Sequence, residues 1–353
     1  MIENETRHQI ITGASQNMEA VKDRSVSLVV TSPPYPMIEM WDEIFSKQNP
    51  EIWTALEKKE ESRMYKLMHA ELNKVWKEVE RVLIPGGIAC INIGDATRTL
   101  NNKFALYPNH SAVIDAFREL GMVNLPNIIW RKQTNAPNKF MGAGMLPAGA
   151  YVTLEHEWIL IFRKEGKREF KTQEEKLKRR ESAFFWEERN IWFSDLWDLK
   201  GTRQHMKKDS SRLRSGAYPY EIPYRLINMF SLKYDVVLDP FLGTGTTMLA
   251  AITSQRNSIG YEIDPAFREI IKKNVKEFPV ELHREILLSR LESHRDFIDK
   301  RKVQKGENAF KYLNQYLKLP VMTRQETDIK FSNINAVTSM QSGFSANYCP
   351  LEL

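Results

Sequence analysis

The chain has 353 residues, 42% hydrophobic and 27% charged, enough for one large domain or two modest ones. Its formal charge of +6 permits a polyanionic partner without requiring one. No apolar run reaches spanning length, residues 1–9 lack the apolar core of a signal peptide, and the distant Cys90 and Cys349 support neither a disulfide framework nor a zinc cluster. A reducing cytoplasm is the expected compartment.

Residues 9–13 predict a short strand and turn, and 17–22 one or two helical turns. Leu28-Val29-Val30 predicts a buried strand that runs into Thr31-Ser32 and halts at Pro33-Pro34-Tyr35. Residues 41–80 read as charged helix with a break near Pro50. In it Leu67, Met68, Leu72, Val75 and Val79, with Val82 just beyond, recur at three- and four-residue spacing, which marks one buried face. Pro85-Gly86-Gly87 is a sharp stop. The near-continuous apolar strand that follows, 88–95, is of the kind found inside a parallel sheet. A helix over 111–120 and strands over 127–131 and 157–162 continue the alternation.

Between residues 163 and 215 the texture changes. Sixteen lysines and arginines stand against ten acidic residues, a surplus equal to the net charge of the whole chain. Phe184, Phe185, Trp186, Trp192, Phe193 and Trp197 are interleaved with them. Order returns with an amphipathic helix over 223–232, the strand Val236-Val237-Leu238-Asp239, a helix from Thr246-Thr247, a strand over 258–262 and a helix starting at Asp264-Pro265. Charged helix follows Pro279 to about residue 305. Residues 323–353 are polar with weak periodicity and are expected to be poorly structured or to pack as an extended tail.

Two stretches carry chemistry. Pro33 and Pro34 fix their own φ near about −65° and keep the preceding residues extended. The turn would therefore present the Ser32 hydroxyl, a prolyl carbonyl and the Tyr35 ring in one geometry. Those parts suit a flat base with an exocyclic NH2: two acceptors for its hydrogens and a ring to stack on it. The second stretch is Asp239-Pro240-Phe241-Leu242-Gly243-Thr244-Gly245-Thr246, a strand end and Gly-rich turn at a helix N-terminus, the ligand position of parallel α/β sheets. Glu262 ends the next strand, where an acidic residue is placed to accept from both ribose hydroxyls. The block lacks the Gly-x-Gly-x-x-Gly of dinucleotide sites and the Gly-Lys of a P-loop. His156-Glu157 has no second histidine four residues on, so no metal site is expected.

Thr-Ser-Pro-Pro-Tyr followed some two hundred residues later by the Phe-x-Gly-x-Gly turn resembles the β group of DNA amino-methyltransferases, in which the catalytic motif precedes the cofactor motif. Arg81 to Gly87, His156 to Phe162, Asp195-Leu196-Trp197 and Ala217 to Pro223 agree with that family's pattern, and the likeness covers residues 8–280. Two departures stand out: Gly13 is followed by Ala14-Ser15 rather than an acidic or amide residue, and the family's His-Pro is replaced by Ser215-Gly216.

The resemblance implies a Rossmann-like α/β fold with a doubly wound mixed sheet in circularly permuted order. It implies a catalytic half at 8–162, a target-recognition insertion at 163–215, a cofactor half at 216–280 and a helical extension and tail at 281–353. The cofactor would be S-adenosyl-L-methionine, held by Thr31, Asp239, Pro240, Phe241, Gly243, Gly245, Thr246 and Glu262. Ser32, Pro33, Pro34 and Tyr35 would be catalytic. Arg179, Arg180, Arg203, Lys207, Lys208, Arg212 and Arg214 would contact double-stranded DNA. Family members with Ser at the position of Ser32 mostly act on cytosine N4, those with Asp mostly on adenine N6. Methylation of cytosine N4 by base flipping is therefore expected, with adenine N6 the alternative and a cognate restriction endonuclease reading the same site.

Overall fold

The computed structural model describes residues 4–132, 141–200, 218–277 and 280–351. The chain opens with β1 (Glu5–Thr12) and β2 (Val26–Thr31). Residues 17–22, expected to be helical, form turns instead. The reason lies in a neighbouring helix, whose side chains replace helical hydrogen bonds: the Met18 N–H donates to Glu78 at 2.7 Å and Arg81 donates to the Met18 carbonyl at 3.0 Å.

Three helices follow, α1 (Asp42–Gln48), α2 (Pro50–Glu57) and α3 (Glu61–Val82). The break at Pro50 is a cap: the Asn49 side chain accepts the Glu51 N–H at 3.1 Å and Pro50 occupies the first turn. Along α3, Met64, Met68, Leu72, Val75, Val79 and Val82 are buried as one stripe. β3 (Leu83–Ile93) begins at once, so Pro85-Gly86-Gly87 lies inside its first half. A hairpin that the sequence did not announce, β4 (Ala96–Leu100) and β5 (Lys103–Tyr107), is tied to α1 by a buried bidentate Arg98–Asp42 pair at 2.9 and 2.7 Å. Then come α4 (Asn109–Glu119), β6 (Val123–Arg131), the two-residue strands β7 (Met141–Gly142) and β8 (Ala150–Tyr151), and β9 (His156–Arg163).

The basic segment does not stand apart as an insertion. Its described part forms α5 (Gln173–Glu181), α6 (Trp186–Trp192) and β10 (Leu196–Asp198), and β10 joins the main sheet parallel to β6. Phe185, Trp192 and Trp197 are buried and serve as core for these short elements, while Trp186 and Phe193 stay exposed.

After α7 (Glu221–Phe230) come β11 (Val236–Asp239), α8 (Thr246–Thr253), β12 (Asn257–Glu262), α9 (Phe267–Glu277) and α10 (Val280–Lys305). The small pair β13 (Tyr312–Leu313) and β14 (Pro320–Val321) leads to β15 (Ser332–Met340) and β16 (Gly343–Pro350). This last hairpin corrects the expectation of a loose or merely extended tail. β16 pairs antiparallel with β1, and Phe344, Ala346 and Tyr348 bury the alternate positions of its core face.

The sheet runs β10-β6-β9-β3-β2-β11-β12-β1-β16-β15. Its centre, β3-β2-β11-β12-β1, is parallel throughout, and β9 and β16 flank that centre antiparallel. On one face α1 to α4 pack over Val29, Ala89, Ile91, Leu160 and Phe162; on the other α7 and α8 cover Leu28, Val30, Ile88, Cys90 and Val237. This is the doubly wound mixed sheet that was expected. No described helix is long and apolar enough to cross a membrane.

Burial of histidine makes the fold acid-sensitive. His8 lies between Thr6 and Ser258, each at 2.8 Å, and burial lowers its pKa to about 3. The folded protein keeps the ring neutral while the unfolded chain protonates it below about pH 6.5, so stability falls as pH drops through that window. At pH 5 the loss from His8 is about 2 kcal/mol. Asp239, raised to about 6 by burial, works in the opposite direction. The test is therefore a comparison: between pH 7 and 5, urea unfolding of His8→Gln loses about 2 kcal/mol less than that of the native chain. Equal losses would refute the assignment.

Candidate active site

The order of strands reverses between β2 and β11, and ligands in such sheets bind at the carboxyl ends of strands at that point. Thr31 and Asp239 meet there. The Thr31 hydroxyl donates to Asp239 Oδ1 at 2.6 Å, the Thr247 hydroxyl to Oδ2 at 2.6 Å and the Phe241 N–H to Oδ1 at 3.0 Å. Burial raises the Asp239 pKa to about 6 even against these three hydrogen bonds. Thr31 is itself buried and holds Asp239.

The turn after Asp239 needs both of its glycines. Gly243 and Gly245 have φ of 52° and 87°, in the left-handed region, and a Cβ on Gly245 would meet Ile271 at 3.0 Å. Gly245 shapes the turn and caps α8. The Gly243 N–H donates to Glu262 Oε2 at 2.8 Å and the Asp264 N–H to Oε1 at 2.9 Å. Each carboxylate oxygen keeps a lone pair for the cavity, and burial raises the pKa of Glu262.

Ser32, Pro34, Asp239, Pro240, Phe241, Gly243, Thr246 and Glu262 together line one cavity of about 140 Å³. Folding thus joins two stretches that stand some two hundred residues apart. Gly13-Ala14-Ser15 lines it as well, so the first turn approaches the site despite its departure from the family pattern. Trp41, Gln48 and Glu71, from the turn before α1 and from α1 and α3, were not anticipated. Gln16 bridges two of them, its amide donating to Gln48 at 3.0 Å and to Glu71 at 3.1 Å.

The Pro-Pro turn is fixed from behind. The Ser32 and Tyr35 hydroxyls are 3.0 Å apart, and the Tyr35 hydroxyl donates to Glu157 Oε2 at 2.8 Å. Asn92 Nδ2 donates to the same Glu157 oxygen at 2.6 Å and to Tyr35 at 2.9 Å, and Lys132 Nζ pairs with Glu157 Oε1. The Tyr35 ring packs so close to Gly94 that a Cβ there would stand 2.8 Å from it. Pro33 is buried, and Tyr35 is anchored by its hydroxyl. Asn92, Lys132 and Glu157 were missed as site residues. The available signal was Asn92, a lone polar residue inside β3, and Glu157, which follows His156 at the start of β9. No described group of three or more His, Cys, Asp or Glu side chains could hold a metal ion.

The basic residues divide. Arg179 lies over Phe170 at 4.7 Å and Arg180 pairs with Asp328 at 2.8 Å. Both sit on α5, whose Lys178 covers Tyr234, just before β11. Local partners thus engage Arg179 and Arg180, which were expected to contact DNA. Arg203, Lys207, Lys208, Arg212, Arg214 and the Ser215-Gly216 departure lie outside the described residues.

Comparison with known proteins agrees with this geometry. A family model described as DNA methylase, covering N6 and N4 types, matches residues 26–273. The Type II methyltransferase M.MthZI of Methanothermobacter thermautotrophicus is 55% identical over 327 residues, 92% of this chain and 90% of the relative. M.MjaI of Methanocaldococcus jannaschii is 53% identical over 281 residues, 76% and 91% of the two chains. Among solved structures, a DNA modification methylase candidate from Thermus thermophilus, complexed with S-adenosyl-L-methionine, superposes with a TM-score of 0.59 at 31% identity, over 76% of this chain and 92% of that one.

Proposed function

Because the chain belongs to the N6/N4 family of DNA methylases, as a β-group amino-methyltransferase of the restriction-modification type, we propose that it transfers a methyl group from S-adenosyl-L-methionine to N4 of cytosine in a short duplex DNA sequence. The modification would shield that sequence from a cognate endonuclease in the cytoplasm. The target cytosine is flipped out of the helix to reach Ser32.

The cavity suits the cofactor. Glu262 offers one free lone pair on each oxygen to the ribose hydroxyls, held in place by the Gly243 and Asp264 amides. Phe241 and Trp41 give apolar walls, and the Asp239 carboxylate stands where a positive sulfur is favoured. Bound there, S-adenosyl-L-methionine supplies an electrophilic methyl carbon. The chain's own work is on the amine. Its lone pair is delocalised into the ring, so it is a poor nucleophile until the nitrogen becomes tetrahedral. Hydrogen bonds from the NH2 to Ser32 Oγ and to a prolyl carbonyl favour that geometry. Among the described residues neither the Pro33 nor the Pro34 carbonyl accepts a hydrogen bond.

The observation that carries the cytosine reading is a neutral hydroxyl, Ser32, at the end of β2 on the cavity wall. Residues 8–162 then supply the catalytic half and 216–280 the cofactor half. Sequence recognition would fall to residues 163–215.

Labelled S-adenosyl-L-methionine and mixed-sequence duplex DNA, digested to nucleosides and read by mass spectrometry, test the reading. N4-methylcytosine is the expected product. N6-methyladenine would overturn the base assignment, and label confined to RNA would overturn the DNA assignment.

A further inference from the structure

Glu157 is an acid that the site has to explain. It is only 8% exposed, on β9, opposite Trp130 in one ladder and beside the Asn92 strand in the other. Burying a carboxylate is costly unless it is paired and hydrogen-bonded. Its Oε2 accepts from Tyr35 and Asn92, and its Oε1 faces Lys132.

This arrangement gives the hydroxyl chain a direction. Tyr35 has one hydroxyl hydrogen, and it goes to the carboxylate, which accepts only. Tyr35 must then accept from Ser32 across their 3.0 Å contact, so the Ser32 hydrogen points away from the cavity. Asn92 Nδ2 also approaches Ser32 Oγ at 3.4 Å, so that oxygen keeps one lone pair for the space where the target amine would sit. Asn92, donating to both Tyr35 and Glu157, closes the network on its far side.

We propose that Glu157 is the terminal proton acceptor of the reaction, acting through Tyr35 and Ser32 as a positioning residue for the target amine. The proposal rests on the amino-methyltransferase reading above. As the N–CH3 bond forms, the S–CH3 bond breaks and sulfur keeps the electron pair. The amine nitrogen then carries a positive charge and must lose a proton. That proton passes to Ser32 Oγ, the Ser32 hydrogen to Tyr35 Oη, and the Tyr35 hydrogen to Glu157 Oε2. Each hydroxyl ends with one hydrogen, the methylated base and the thioether are neutral, and Glu157 becomes a carboxylic acid. Burial and the neighbouring Glu157 hold the Tyr35 pKa well above its ordinary value, so the phenol passes the proton on without standing as a phenolate. Solvent reaches the carboxyl on the Lys132 side, where that side chain is 38% exposed.

The charged and titratable groups facing Glu157 are Tyr35 and Lys132. His156 beside it packs edge-on against Trp158 at 5.4 Å, and His110, paired with Asp95, stacks on the same indole at 4.7 Å.

Glu157→Gln keeps an oxygen for Tyr35 and Asn92 but takes no proton. Its single-turnover methyl transfer to duplex DNA is expected to fall on the order of 100-fold, with S-adenosyl-L-methionine affinity by calorimetry unchanged. Tyr35→Phe should lose as much, and the double variant no more than either single one, because both cut one chain. A Glu157→Gln enzyme within a few-fold of native, or losses that multiply, would each overturn the proposal. If Glu157→Gln binds no cofactor because it does not fold, Tyr35→Phe, which leaves the Glu157–Lys132 pair intact, decides alone. A native enzyme that methylates no DNA base sinks the methyltransferase reading itself. Active native enzyme with active variants sinks only the role of Glu157.

Discussion

Ser32→Ala is expected to cut the single-turnover rate of methyl transfer by two to three orders of magnitude while leaving S-adenosyl-L-methionine affinity within about twofold. Ser32 lines the cavity, but the groups that fit the cofactor's ribose belong to β12 and the Gly-rich turn. Its oxygen is reserved for the reacting amine, because its hydrogen is committed to Tyr35. Losing one preorganised group aimed at a reacting centre typically raises the barrier by about 3–4 kcal/mol. Substrate binding does not share the loss, since the amine meets Ser32 most strongly as its nitrogen becomes tetrahedral. Calorimetric titration with the cofactor and rapid-quench transfer to duplex DNA separate the two quantities. A loss smaller than tenfold would mean that a prolyl carbonyl alone orients the amine.

Glu262→Ala should fail in the opposite way. Two hydrogen bonds from ribose hydroxyls to an ionised carboxylate are worth about 1.5–3 kcal/mol each. Removing both weakens S-adenosyl-L-methionine binding by at least about 100-fold. The Gly243 and Asp264 amides also lose their acceptor, so the turn that shapes the cavity loosens. At saturating cofactor the rate of transfer should stay within a few-fold of native, because Glu262 touches neither the amine nor Ser32. Initial rates over a wide cofactor range distinguish the cases: KM rises and kcat holds. A collapse of kcat at saturation would place Glu262 in the reaction rather than in binding.

The meeting of these two residues was legible because each ends a short apolar strand in a polar turn, and parallel sheets gather such ends at one edge. Turn chemistry also told where the helices begin, as at Asn49-Pro50 and Thr246-Thr247. What escaped depended on partners far away in sequence. Residues 17–22 have a helical pattern, yet Glu78 and Arg81 take over their backbone groups. Thr31 reads as a strand-end hydroxyl facing a ligand until Asp239 is seen beside it. The hydroxyl partner of Tyr35 was hidden because the Glu157 carboxylate stands 122 residues on. Glu157 itself was weighed only as a metal ligand. In β16 the alternation of Phe344, Ala346 and Tyr348 was available, but so short a run among polar residues does not specify a partner, and β1 is supplied by the far end of the chain.

That last pairing sets how the sheet closes. Both ladders of β1 are made with strands far along the chain, parallel to β12 and antiparallel to β16, where Glu5 faces Asn347. Until β16 docks, β1 keeps a row of unpaired backbone groups that any passing strand could join. Contacts so distant in sequence also slow the final closure.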